Sequence, residues 1–196
     1  GEKTSPVPEG AGISRDDAIN LALIGSANDA ASGLAEAVGR RYGAAGFDDA
    51  MKMFAARANG KAEKIGMAHS RIENPTGLDA SGHATTAKDL FLLLHYIWQY
   101  HPEIWETTRN TDVRVWTALP AVSGESGEPV KYVMPSTNVL LSEFPAILGG
   151  KTGWTDQAGE TFVFLYPVSR DAVSIGIAAV VILGSADRFE DGRKII

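Results

Sequence analysis

Apolar residues recur at helical spacing through the first half of the chain and as dense β-rich runs through its last third. Ser14-Arg15-Asp16-Asp17 gives a capping-box-like start to the series Ala18, Leu21, Ala22 and Ile24, which predicts a helix ending near Gly25. A second helix is expected just after Ser26, running through Leu34 and Val38. A third spans about 47–65, with Met51, Phe54, Ala55 and Ala58 on one face. Asn74-Pro75-Thr76-Gly77-Leu78-Asp79 and Gly82 are turn chemistry, after which Thr86-Ala87-Lys88-Asp89 caps a helix with the apolar stripe Leu90, Leu93, Leu94 and Ile97.

Between 102 and 133 the pattern blurs: 111–118 alternates as a strand does, and 123–129 reads as an exposed loop. Beyond Gly153, 161–168 and 172–183 are β-rich and joined at Ser169-Arg170-Asp171 as a hairpin, with a closing helix from about Ser185. The run 172–183 reads as a core strand and is too short to span a membrane. Helices first and an antiparallel pair afterwards predict α+β layering: an antiparallel sheet flanked by helices, with a helical subdomain. The expected organisation is a single domain over 1–196, mostly helical across 14–110 and mostly sheet with a closing helix across 111–196.

Composition narrows the chemistry. The chain has 196 residues, 44% of them hydrophobic, which is enough to bury a core. A net charge of -6 with scattered Lys and Arg argues against a nucleic-acid partner. No cysteine is present, which excludes disulfides, thiolate metal sites and a Cys nucleophile. His69, His83, His95 and His101 lack the spacing of a helical zinc site, so no metal is expected.

Gly150-Lys151-Thr152 superficially resembles the end of a phosphate-binding loop. That loop requires a glycine where Pro145 stands, and it must open a helix rather than lead into β-rich sequence. Acyl transfer fits better. Ser26 and Asn28 fall in a turn between two helices, where hydroxyl and amide can exchange hydrogen bonds with a substrate amide; Ser26 capping the following helix is an alternative, and the two roles are compatible. Lys151 at the start of a strand would bind a carboxylate and favour the deprotonated form of a nearby serine. Thr152 adds a hydroxyl to that carboxylate, Gly153 admits close approach, and the Trp154 N–H is free to serve as an oxyanion donor. Taken alone, the Gly-Gly-Lys-Thr-Gly run is equally a turn before a hairpin. Trp154 would shape substrate preference, or simply pack.

Three ordered stretches carry a family resemblance. Ile24-Gly25-Ser26-Ala27-Asn28-Asp29-Ala30-Ala31 resembles the Ser-x-Asn segment, and its following helix, of the serine D-alanyl-D-alanine carboxypeptidases, the low-molecular-mass penicillin-binding proteins. Residues 74–79, then Gly82-His83 and Thr86-Ala87-Lys88-Asp89-Leu90, are similar to a further family stretch, and residues 150–159 to its Lys-Thr-Gly strand. The resemblance implies an acyl-enzyme reaction on peptidoglycan stem peptides ending in D-Ala-D-Ala, with no cofactor, with β-lactams as inhibitors, and in a periplasmic or cell-surface location. In that scheme Ser26, Asn28 and Lys151 are catalytic, and Thr152, Gly153 and Trp154 bind substrate.

The family's nucleophile lies in a Ser-x-x-Lys motif upstream of Ser-x-Asn, and no serine here has a lysine three residues on. The expectation is therefore a partial domain without its N-terminal portion, with the nucleophile outside this chain, in a longer protein or on a second polypeptide. A strand edge or apolar face would then lie uncovered. The alternatives are a noncatalytic peptidoglycan-peptide-binding relic and, ranked lower because Glu73-Asn74 makes no convincing deacylating base, a β-lactamase.

Overall fold

The structure, a computed structural model, describes residues 3–117, 129–170 and 173–196. Five helices come first: α1 (Arg15–Leu23), α2 (Asn28–Arg41), α3 (Phe47–Ile65), α4 (Ala87–Tyr100) and α5 (Pro102–Thr108). Two strands follow, β1 (Asp112–Thr117) and β2 (Val130–Pro135), then the short α6 (Leu140–Glu143). The chain closes with β3 (Gly149–Thr155), β4 (Gly159–Arg170), β5 (Val173–Ser185) and α7 (Arg188–Ile195). The architecture is α+β with antiparallel sheets, as the order of periodicities predicts.

Capping chemistry sets the ends of the legible helices. Ser14 accepts from the Asp17 N–H at 3.0 Å and Thr86 from the Asp89 N–H at 3.1 Å, each satisfying a donor that the first turn leaves open. Asp89 does not stay at the surface. Its carboxylate turns inward, 1% exposed, and accepts from the His69 N–H at 2.7 Å and the Ser70 hydroxyl at 2.8 Å, so it pins the segment after α3 to α4. Asn74 organises its turn in the expected way, its Oδ1 accepting from the N–H groups of Thr76 and Gly77.

The strands form two sheets, β1 with β2 and the larger β3-β4-β5, every pairing antiparallel. Phe162 and Phe164 are fully buried on one face of β4 with ring centroids 4.7 Å apart, each contributing about 2–3 kcal/mol by burial. They pack with Leu140, Ile147 and Ile182. A second cluster joins Leu21, Ile24, Ala27 and Ala30 to Val113, Val115 and Met134, fixing the α1–α2 corner against the small sheet. A third, of Leu94, Trp105 and Leu165, seats α4 and α5 on β4.

One expectation needs correcting. The run at 172–183 is a core strand only in its second half: Ile182 is buried and Ala179, Val180 and Val181 pack against the core clusters, whereas Ile175 and Ile177 are 61% and 42% exposed and, among the described residues, β5 pairs only with β4. Among the described residues it is an edge strand, with Ile175 and Ile177 facing outward. The loop expected at 123–129 lies, but for Pro129, outside the described residues, as do Asp171 of the hairpin and Ala118 of the first alternating run. Among the described residues no helix is long and apolar enough to cross a membrane, and no group of three or more His, Asp or Glu is placed to hold a metal.

Candidate active site

The corner between α1 and α2 is tight because the Ala27 N–H returns to the Leu21 carbonyl at 3.1 Å while Gly25 and Ala27 are buried. That closure forces Ser26 to φ 60, the left-handed region that a serine seldom occupies, and Ser26 is the one non-glycine with positive φ among the described residues. The strained turn aims its hydroxyl at the sheet. There Lys151 donates to Ser26 Oγ at 2.6 Å, joining residues 125 positions apart. Lys151 also donates to the Thr152 carbonyl at 2.8 Å.

Ser26 is therefore not a helix cap, as one reading of the sequence had it. The N-cap of α2 is Ala27, with no side-chain cap bond, because the positive φ turns the serine hydroxyl toward β3 instead. Asn28 becomes the first residue of α2; it is buried, and its N–H donates to the Lys3 carbonyl at 2.7 Å.

Lys151 is half-buried, and its pKa falls from 10.5 to about 8. Burial is the first cause, followed by the positive charges of Lys3 and Arg188. Lys3 is itself lowered by burial. Arg188, at the start of α7, donates from Nη1 to the Gly153 carbonyl and lies 3.9 Å from the Glu160 carboxylate. Three cations thus act on one another here, with Glu160 beside Arg188, an arrangement suited to an anionic group such as a carboxylate.

Thr152 is buried and donates to Thr137 Oγ1 at 2.6 Å. Thr137 is in turn held by its N–H on the Ile24 carbonyl at 3.1 Å, so the chain before α6 ties β3 to the Ser26 corner. A Cβ on Gly153 would lie 2.6 Å from Thr161 Oγ1, so any side chain here would displace the Thr161 hydroxyl. Trp154 stands 49% exposed rather than packed. Beside the strand opens a cleft of about 610 Å³, lined by Lys151, Thr152 and Gly153 and by the apolar Met67, Leu78 and Leu93. His83 also lines it, and its buried Nδ1 has no hydrogen-bond partner among the described residues.

The structure brings Ser26, Lys151 and Thr152 into one connected network and sets Gly153 and Trp154 directly after them on β3. Thr137, Arg188 and Lys3 were not singled out in the sequence. They belong to no motif, and their place comes only from the fold.

Residues 2–183 match the family model of the D-alanyl-D-alanine carboxypeptidases. The chain belongs to this family. A D-alanyl-D-alanine endopeptidase of Pseudomonas aeruginosa is 29% identical over 97% of this chain and 55% of its own length. A D-alanyl-D-alanine carboxypeptidase of Mycobacterium tuberculosis is also 29% identical, over 72% of this chain and 42% of its own. The chain thus spans about half the length of these family relatives. Among solved structures, the ampicillin-bound penicillin-binding protein D2 of Listeria monocytogenes is 31% identical with a TM-score of 0.67, covering 93% of this chain and 66% of that one. A variant of the Streptomyces K15 DD-transpeptidase gives a TM-score of 0.83 over 98% of this chain and 70% of its own, at 19% identity, a likeness of fold alone.

Proposed function

We propose that this chain supplies the Ser-x-Asn and Lys-Thr-Gly portion of a serine-type D-Ala-D-Ala carboxypeptidase that acts on peptidoglycan stem peptides through an acyl-enzyme. The observation that carries this reading is the 2.6 Å bond from Lys151 to Ser26. Two motifs 125 residues apart in sequence meet at Lys151, which lines an open cleft, with a cationic field suited to the terminal carboxylate of a peptide.

In this scheme a serine carried outside these residues, in a longer protein or on a second polypeptide, attacks the penultimate D-Ala carbonyl. Ser26 and Lys151 relay the proton toward the leaving D-Ala. The Asn28 side chain, which makes no hydrogen bond among the described residues, holds the peptide amide. Lys151 and the field of Arg188 grip the carboxylate, joined by the Thr152 hydroxyl once it turns from Thr137 to the substrate, and the Trp154 N–H donates to the oxyanion. No cofactor is needed. The substrate places the protein in the periplasm or at the cell surface, and the uncovered edge of β5 fits a domain completed by a further segment.

The test is intact mass after exposure to a penicillin, run on these 196 residues alone and on a longer protein that includes a Ser-x-x-Lys segment. An adduct on the serine of that segment, lost when Lys151 is replaced by alanine, supports the proposal. A longer protein that carries the segment, folds and forms no adduct sinks it. A second reading, a noncatalytic binder of D-Ala-D-Ala peptides, is favoured by the absence of Ser-x-x-Lys from these residues. It predicts carboxylate-dependent peptide binding with no covalent trapping; β-lactam hydrolysis as a main activity ranks below both.

A further inference from the structure

We propose that Ser26 and Lys151 form a serine–lysine dyad that reacts covalently without any other serine, giving this chain a slow esterase activity toward small activated esters. Ser26 combines three properties of an activated nucleophile. Its hydroxyl lies 2.6 Å from a single amine, the Lys151 Nζ. It sits on the sharp α1–α2 turn at φ 60, where its hydroxyl meets Lys151 of β3. It is half-buried, so a small reagent can reach it.

Lys151 has the matching properties of a base. It is enclosed between the turn and β3, and burial with the neighbouring charges of Lys3 and Arg188 brings it to about 8, so a substantial neutral fraction exists near neutrality. The charges acting on it are those two cations; Glu160 lies 3.9 Å from Arg188 Nε, and Asp79 and His83 line the same cleft as Lys151.

The reaction balances without a cofactor. Neutral Lys151 accepts the Ser26 hydroxyl proton as Oγ bonds to the acyl carbon. The tetrahedral intermediate then expels the alkoxide or phenolate and leaves an acyl-Ser26 ester. Lys151 loses its proton to solvent or to the departing oxygen. It next accepts one from water as the hydroxide attacks the acyl carbon, and returns it to Ser26 Oγ as the acid leaves. Esters with good leaving groups are the substrate class, because only one acid–base group serves both half-reactions and an amide nitrogen would need stronger protonation.

The probe is p-nitrophenyl acetate on the purified chain. The expected result is a burst of p-nitrophenolate equal to one per chain, with an acetyl group mapped by peptide mass to Ser26. The acylation rate should rise with pH to a plateau, with its midpoint near 8. Ser26→Gly, which accepts φ 60 without strain, should keep the circular dichroism spectrum and lose the burst. Lys151→Met should lower the acylation rate on the order of 10²-fold and flatten the pH profile. Acetyl groups spread over surface lysines, an undiminished burst in Ser26→Gly, or a rate that climbs with pH without a midpoint would each overturn the dyad. The mapping needs no variant, so it decides the matter even if a substitution unfolds the chain. The penicillin test addresses a different serine, so the two proposals fail independently.

Discussion

Lys151 works against the stability of the fold that holds it. Its ammonium is desolvated and faces two other cations, so the folded protein releases its proton near pH 8 while the unfolded chain holds it to 10.5. Between those values the unfolded state binds more protons, and stability rises with pH; below 8 the cost is present in full. Lys151→Met removes that cost, about 3 kcal/mol at pH 7, but gives up the bonds to Ser26 and the Thr152 carbonyl, each about 0.5–1.5 kcal/mol. The expected net gain is about 1–2 kcal/mol, or roughly 2–8 °C in Tm, fading as pH climbs from 8 to 10.5 in a thermal-melt series. Asp89 behaves in the opposite sense. Burial pushes its pKa up, but bonds from Ser70 and from the His69 N–H outweigh that and leave it below its usual 3.8. Asp89→Asn should lower the urea midpoint at neutral pH, and the difference from the parent should shrink as acid protonates Asp89 itself. At this scale the meeting of Ser26, Lys151 and Thr152 was partly legible, because they stand in short motifs that the fold brings together. Asn28, from the same motif as Ser26, makes among the described residues only a backbone bond to Lys3 beyond its own helix. Asp89 read only as part of a cap, because nothing in sequence marks a cap residue that will be drawn inside.

Helices α2 and α3 cross at Gly39, where an added Cβ would lie 2.5 Å from the Ala50 Cβ and 2.7 Å from its Cα. Gly39→Val should therefore force the pair apart at a cost of about 1–3 kcal/mol, read as a lower denaturant midpoint. Because α2 begins at the Ser26 corner, the same variant should also weaken penicillin capture by the longer protein. The elements that sequence foretold share a plain signature, as α1 and α4 do: a hydroxyl cap and an apolar series at helical spacing. Those it did not foretell lack one. Helix α5 is seven residues behind Pro102, α6 is four residues, and β2 buries Met134 alone, so neither alternation nor periodicity had room to show. Strand β3 was foretold as a strand beginning at Lys151, with a turn as the alternative reading of its glycines; pairing with β4 makes it a strand from Gly149.

For the molecule as a whole, the order of helical and strand-like blocks made the α+β class readable, but the position of β5 at the rim was not. A run of Ile, Ala and Val looks the same whether it lies inside a sheet or beside one. That rim, with Ile175 and Ile177 facing outward, predicts concentration-dependent association of the chain on its own, measurable by sedimentation velocity and reduced by Ile177→Lys. The bond between Ser26 and Lys151 carries a consequence for biosynthesis. With 125 residues between its partners, a ribosome adding about 5–20 residues per second needs roughly 6–25 s after making the serine to deliver the lysine. For that interval the helical half exists without β3, its strained corner unanchored and its apolar wall open to the surroundings, so the nascent chain must be shielded by a chaperone or must delay compaction until the final hairpin emerges.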